Sequence, residues 1–86
     1  MEIEFDPAKD AANIAKHGVS LARAADLELE GVEQDHRAAY GEARFRGFGL
    51  LDGLPHSVAF TLPRTGVMRV FSLRRAHLRE YRRHVP

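Results

Sequence analysis

The second half of the chain is rich in arginine, a side chain suited to binding phosphate groups. Residues 43–86 contain nine arginines, no lysine and two acidic residues. A guanidinium group presents a planar fork of N–H donors that matches two phosphate oxygens at once. Because charged runs on a small domain often serve only as a solvated surface, phosphate binding and simple solubility both remain open from composition alone.

The first half of the chain has the opposite charge. Residues 1–42 contain ten acidic and four basic residues, although the whole chain has a formal net charge of only +1. A basic half on a nearly neutral domain is typical of proteins that bind nucleic acid or an acidic protein.

Several classes of function are disfavoured by what the sequence lacks. Its 86 residues include no cysteine, and this absence excludes disulfides, cysteine-based zinc sites and thiol nucleophiles. There is no P-loop, no GxGxxG motif after a strand and no GxSxG motif. The acidic N-terminus is unlike a signal peptide, and no apolar stretch approaches the length of a membrane span. We therefore expect a single cytoplasmic domain over residues 1–86.

One reaction suits the residues that are present, namely cleavage of RNA by its own 2′-hydroxyl group. The substrate supplies the nucleophile, arginine or lysine stabilises the charge that develops on the phosphate, and histidine or glutamate transfers protons. The candidates for phosphate contact are Arg44, Arg46, Arg69, Arg74 and Arg75. The candidates for proton transfer are Lys16, His17, His36, Glu42 and Glu80. Such a reaction requires no cofactor.

The C-terminal stretch raises the alternative of a metal site. His77, Glu80 and His84 fall on one flank of a predicted helix, and all three are zinc-ligand types. Their spacing is not the HExxH pattern, so an ion pair between His77 and Glu80 fits better and we expect no bound metal. The opposite flank is basic and adds Arg79 to the phosphate-binding candidates.

The order of predicted elements indicates an α+β fold. Asp6 and Gly18 bound a first helix that starts at Pro7, a second helix is expected over residues 21–30 and a last one over residues 75–84. Strands are expected at residues 2–5, 32–39, 43–51, 56–62 and 67–73, with Asp52-Gly53 as a hairpin turn that leads into residues 56–62. We predict helices on one face of an antiparallel meander of about four strands, with residues 67–73 as the central strand and the other face open.

Helical periodicity divides the first helix into two sides. The side expected to face the core is apolar and consists of Ala8, Ala11, Ala12, Ile14 and Ala15. The other side is polar, and contact with solvent is its simplest interpretation; it holds Lys9, Asn13, Lys16 and His17. In the last helix, Arg74 is expected at the head of an apolar stripe, where it needs an anionic or carbonyl partner.

Three segments of the chain resemble the BrnT-type toxins of type II toxin–antitoxin systems. FDPAKDAANIAKHGVS, residues 5–20, matches at Asp6, Pro7, Lys9, Asn13, Lys16, His17 and Gly18. DHRAAYGEARFRGFG, residues 35–49, matches at Asp35, Arg37, Tyr40, Gly41, Glu42, Arg44, Phe45 and Gly49. RVFSLRRAHLRE, residues 69–80, matches at Arg69, Ser72, Arg74, Ala76 and Glu80.

The resemblance implies a RelE-like fold and a ribonuclease that stops translation. It also implies a BrnA-type antitoxin partner with a ribbon-helix-helix domain, through which the complex binds its operator DNA. The matched residues that carry chemistry are Lys16, His17, Glu42, Arg44, Arg69, Arg74 and Glu80. From the residues and the resemblance together, the predicted catalytic set is His17, Glu42, Arg44, Arg74 and Glu80. The predicted RNA-binding set is Lys16, Arg46, Arg69, Arg75 and Arg79.

Two departures from the family pattern are evident, and one alternative function stays open. Leu21 stands where the family has an aromatic residue after Ser20, and His84 stands where a tyrosine is often found. The alternative is a non-catalytic module that binds RNA or holds an antitoxin, as a degenerate toxin would. A DNA-binding repressor fits poorly, since no helix-turn-helix pattern is evident.

Overall fold

The computed structural model describes residues 1–36 and 41–85, which form a five-stranded sheet with helical segments on both of its faces. The strands are β1 (Glu2–Glu4), β2 (Glu28–Asp35), β3 (Arg44–Leu51), β4 (Leu54–Arg64) and β5 (Val67–Arg75). The helices are α1 (Pro7–His17), a 3-10 helix (Leu21–Asp26) and α2 (Leu78–His84). No helix in these two ranges has the length and apolarity needed to cross a membrane.

The sheet has the strand order β1-β5-β4-β3-β2. Strands β2 to β5 pair antiparallel, and β1 pairs parallel to β5 at the edge. The Asp52-Gly53 turn joins β3 to β4 with positive φ at both residues, as the predicted hairpin requires. The structure therefore has five strands where about four were expected. β5, which was predicted to be central, is an inner strand between β1 and β4, and β4 occupies the middle of the sheet.

The predicted second helix is wrong beyond its first six residues. Ser20 caps it by accepting a hydrogen bond from the Ala22 N–H, but the helical segment is 3-10 and ends at Asp26. Residues 28–30 belong to β2, where Leu29 pairs with Gly49. The stretch from Glu28 alternates polar and apolar residues, and pairing with β3 outweighs its moderate helix propensity.

The last helix also begins later than predicted, at Leu78. Arg74 and Arg75 extend β5 by pairing with Ser57 and His56 of β4. Arg74 is therefore a strand residue and does not head a helical stripe. Helical periodicity placed the start of this helix three residues too early, because residues at the end of β5 form ladder hydrogen bonds with the long strand β4 instead.

Apolar side chains form the core on one face of the sheet, beneath the 3-10 helix. The buried cluster consists of Leu21, Ala24, Leu51, Val58, Phe60, Met68, Val70 and Leu73. Asp10 of α1 fixes the start of the 3-10 helix, because its carboxylate accepts hydrogen bonds from the Ser20 hydroxyl and the Leu21 N–H.

Helix α1 packs in the opposite sense to the one predicted. Its alanines and Ile14 are exposed, and its one buried residue is Asn13. The Asn13 amide donates to the Leu73 carbonyl at 2.9 Å and accepts from the Leu73 N–H at 3.1 Å. Since β1 pairs with β5 only as far as Arg69, Asn13 supplies the hydrogen bonds that a neighbouring strand would make further along that edge.

Helix α2 lies on the face opposite the core cluster, so the helices are not confined to one face as predicted. The His84 ring stacks on Phe48 of β3 with centroids 4.2 Å apart. A β-carbon on Gly31 of β2 would overlap the His84 carbonyl oxygen, which shows how closely α2 approaches the sheet. Beyond α2, this second face is lined by polar side chains.

Candidate active site

Four of the predicted phosphate-binding arginines project from one face of the sheet, which we call the polar face. Thr61 of β4 pairs with Arg44 on one side and Arg69 on the other. Residues directly opposite each other in neighbouring strands project from the same face of the sheet, and so does every second residue along a strand. The arginines of the polar face are Arg44, Arg46, Arg69 and Arg74.

Arg74 and Glu80 form a two-pronged ion pair where α2 covers the polar face. The Arg74 Nη1 and Nη2 groups donate to the two Glu80 carboxylate oxygens, each at 3.0 Å. These hydrogen bonds, more than the charges of the nearby Arg46 and His77, lower the pKa of Glu80 below its ordinary value. Glu80 is therefore ionised at neutral pH, which suits it to orient Arg74 or to accept a proton, but not to donate one.

A second polar network lies beside this pair and ties α2 to β2. Arg46 contacts the Glu33 carboxylate, and the other oxygen of that carboxylate lies 3.2 Å from Nδ1 of His84. His84, one of the two residues that depart from the family pattern, thus lies on the polar face and packs on Phe48. The Nε atom of Arg46 is buried and has no hydrogen-bond partner among the described residues.

On the other side of the polar face, Arg44 lies against an aromatic ring beside α1. The Arg44 guanidinium carbon is 4.5 Å from the Phe71 ring centroid, and the Lys9 Nζ atom is 5.8 Å from it. Lys16 and His17 line a crevice next to the same ring, between α1 and β5. The predicted site residues of α1 are therefore brought to the edge of the polar face.

Arg69 lies at the far edge of the polar face, next to β1. Its Nη1 is 3.3 Å from the carboxylate of Glu4, which Arg64 also contacts at 3.1 Å. The hydrogen bond from Arg64 is the main reason that the pKa of Glu4 is lowered. Between Arg69 and Arg44, the fully buried Thr61 hydroxyl has no hydrogen-bond partner among the described residues.

Three of the predicted site residues are not part of this arrangement. Arg75 pairs with His56, which puts it on the opposite parity from Arg74, and it is exposed. Arg79 is exposed on α2 and lines a surface crevice with His77 and Arg83. Glu42 is exposed two residues before β3.

Some of the residues named from the sequence are not part of a described element. His36 is exposed just after β2. Arg37 and Tyr40, which match the family pattern, and the end of the predicted strand 32–39 lie outside the described residues.

Sequence reasoning missed two residues that shape the polar face. Phe71 lies in the predicted strand 67–73, and the bulge that displaces it leaves no signal in the sequence. Glu33 lies in the predicted strand 32–39 and was not singled out, although its pairing with Arg46 places it on the polar face once the register is known.

An apolar groove lies on the core face and differs in character from the crevices of the polar face. It has a volume of about 420 Å³ and is lined by apolar side chains that include Leu29, Val32 and Leu62. Such a lining offers no group for proton transfer or for stabilising charge, so the chemistry proposed from the sequence belongs to the polar face.

Comparison with known proteins agrees with the family resemblance. A family model described as the ribonuclease toxin BrnT of type II toxin–antitoxin systems matches residues 5–80. No curated protein matches the chain. Among solved structures, the 1.1 Å crystal structure of the Brucella abortus ribonuclease toxin BrnT has a TM-score of 0.65 and 24% sequence identity, covering 90% of this chain and 97% of that chain.

The structural match shows a shared α+β fold, and the family model extends over most of the sequence, including all three motifs. The chain therefore belongs to the BrnT family of ribonuclease toxins of type II toxin–antitoxin systems.

Proposed function

We propose that this protein is a metal-independent endoribonuclease that inhibits translation by cleaving RNA in the cytoplasm. The observation that carries the proposal is the convergence of Arg44, Arg46 and Arg74 on one sheet face with Glu80 fixed beside Arg74. A face with several cations can bind the RNA backbone and stabilise a phosphorane without a metal ion, because the 2′-hydroxyl is the nucleophile.

The roles of the residues follow from their surroundings. Arg74, held in one orientation by Glu80, stabilises the charge on the non-bridging phosphate oxygens. Arg44 adds a second positive charge, and Arg46 and Arg69 hold the flanking backbone. His17, which lines the crevice between α1 and β5, and Glu42, which is exposed two residues before β3, are the remaining members of the predicted catalytic set and are assigned to proton transfer.

We propose a BrnA-type ribbon-helix-helix antitoxin as the protein partner. Membership of a type II toxin–antitoxin family implies an antitoxin and an RNA substrate. In this proposal the antitoxin neutralises the ribonuclease by direct binding, and operator DNA is contacted only through the antitoxin.

Expression of the protein in bacteria, with and without the antitoxin, tests the proposal. Without antitoxin we expect growth arrest, a fall in incorporation of labelled amino acids and fragmentation of RNA, and co-expression should reverse all three. The Arg74→Ala variant is the inactive control. A protein that leaves RNA intact and growth unchanged in the absence of antitoxin, while still binding RNA or antitoxin, would instead support the non-catalytic alternative.

A further inference from the structure

The crevice between α1 and β5 is separate from the Arg74–Glu80 pair and combines an aromatic ring with cations. Its volume is about 220 Å³, and its lining consists of Lys9, Ala12, Asn13, Lys16, His17, Phe71 and Ser72. No acidic side chain is among these lining residues. Because pockets for drug-sized ligands are larger, about 300–1,000 Å³, this crevice suits a single small group.

A bulge in β5 places Phe71 in this crevice. Ala59 pairs with Ser72 and Phe60 pairs with Val70, so Phe71 between them has no partner in β4. Bulges of this kind redirect a side chain and are common beside active sites. The displaced ring reaches Arg44 and so lies on the polar face, where it is only partly buried.

Two lysines of α1 border the same ring. The Lys9 Nζ atom lies 5.8 Å from the ring centroid, and Lys16 lines the crevice further along the helix. The two lysines are seven positions apart in the sequence, which corresponds to about 10.5 Å along an α-helix. Asn13 lies between them and fixes this side of α1 to β5 through its hydrogen bonds with Leu73, so both lysines are held at the rim.

We infer that the Phe71 crevice binds one unpaired nucleobase of the RNA, stacked on the Phe71 ring, while Lys9 and Lys16 contact the phosphates on either side. An aromatic platform with flanking cations is the arrangement that proteins use for single-stranded nucleic acid. A base in a duplex would not expose the face that stacks, so the ligand is single-stranded. This inference rests on the proposed ribonuclease function and names the feature of the substrate that this part of the face recognises.

The test measures the binding of a 2′-O-methyl RNA oligonucleotide, which cannot be cleaved by its own 2′-hydroxyl, with one 2-aminopurine as a fluorescent base. Wild-type protein should quench or shift its fluorescence on binding. Since stacking on an aromatic side chain contributes about 1–3 kcal/mol per base, Phe71→Leu should weaken binding roughly 10-fold and abolish the fluorescence change, and Phe71→Trp should restore both. The dependence of affinity on salt should stay the same in Phe71→Leu, because no cation is removed.

Lys9→Gln should instead lower the salt dependence, by about 0.7 in the slope of log affinity against log salt. Arg23→Gln removes the same charge from the 3-10 helix on the core face and should leave binding unchanged. Circular dichroism melting checks that each variant folds. If Phe71→Leu does not fold, the affinity and fluorescence change of Phe71→Trp still test the inference.

Two outcomes would overturn the inference. One is unchanged affinity and fluorescence for Phe71→Leu, with wild-type protein still cleaving natural RNA. The other is weaker antitoxin binding by Phe71→Leu with unchanged RNA binding, which would assign the crevice to the antitoxin. A wild-type protein that neither binds nor cleaves RNA would instead overturn the proposed function itself.

Discussion

The two sides of the polar face hold arginine in different ways. On the α2 side, Arg74 is fixed by both oxygens of the Glu80 carboxylate. On the α1 side, Arg44 lies over the Phe71 ring, with Lys9 close to the same ring. The same residue type thus serves two purposes: an oriented guanidinium suits one defined phosphate, whereas cations around an aromatic ring suit a stacked nucleotide.

This contrast predicts that Arg74 acts on the chemical step. Arg74→Ala should lower the single-turnover rate of RNA cleavage about 10²–10³-fold, as removal of one oriented donor does in other enzymes, with a much smaller change in RNA affinity. Arg74→Lys should not restore the rate, because an ammonium group cannot reproduce the two-pronged geometry. Arg82→Ala, which removes an exposed arginine of α2, is the matched control. If Arg74→Ala lost RNA affinity by as large a factor as it lost cleavage rate, Arg74 would act in binding rather than in the chemical step, and the proposed difference between the two sides would be wrong.

The second prediction concerns Asn13, which holds the α1 side in place. Asn13→Ala should lower the free energy of unfolding by about 3 kcal/mol, because it leaves the buried N–H and carbonyl of Leu73 and the part-buried carbonyl of Val19 without these hydrogen bonds. Ile14→Ala, at an exposed neighbouring position, should change it by less than about 0.5 kcal/mol. Urea denaturation measures the free energy of unfolding of both variants. If Asn13→Ala changed it as little as Ile14→Ala does, Asn13 would not anchor α1.

On the α2 side, Gly31 has the corresponding role of permitting close approach. Gly31→Ala would place a β-carbon against the His84 carbonyl, so α2 must shift, at a cost of about 1–3 kcal/mol. We expect lower thermal stability together with faster amide hydrogen exchange in residues 78–84. Unchanged exchange in α2 would contradict the close packing of this helix on β2.

The smallest expected effect is the pH dependence contributed by Glu80. Its pKa is lower in the folded protein than in the unfolded chain, where it is about 4.3, so the pair with Arg74 stabilises the fold above that value. This stabilisation is lost as the pH falls through the folded pKa. Glu80→Gln should therefore lose less stability than wild type between about pH 6 and about pH 3. Parallel stability curves for the two proteins would contradict the proposed ionised pair.

The sequence predicted some elements well because their signals are local. Asp6, Pro7 and Gly18 mark the ends of α1 through capping geometry that depends on only a few neighbours. The Asp52-Gly53 turn is local in the same sense, since its backbone conformation favours those residues. Such features are encoded within a few residues, and the structure confirms them.

The features that were missed depend on contacts between distant segments. Asn13 is buried because the edge of β5 is open beside it, and helical periodicity alone assigned it to solvent. The bulge at Phe71 and the pairing of residues 28–30 with β3 arise only when the sheet forms. The arginines of the polar face were identified from residue type, but their partners, Glu80 for Arg74 and Phe71 for Arg44, follow from the register of the sheet and the position of α2.

The most direct test of the account is the chemistry of the RNA ends that the purified protein produces in the presence of EDTA. Attack by the 2′-hydroxyl on a phosphate held by Arg74 and Arg44 predicts cleavage without added metal. It also predicts 2′,3′-cyclic phosphate or 3′-phosphate ends and complete resistance of a substrate with 2′-deoxyribose at the cleaved position. Cleavage that requires a divalent metal, leaves 5′-phosphate ends or proceeds equally on the 2′-deoxy substrate would contradict it.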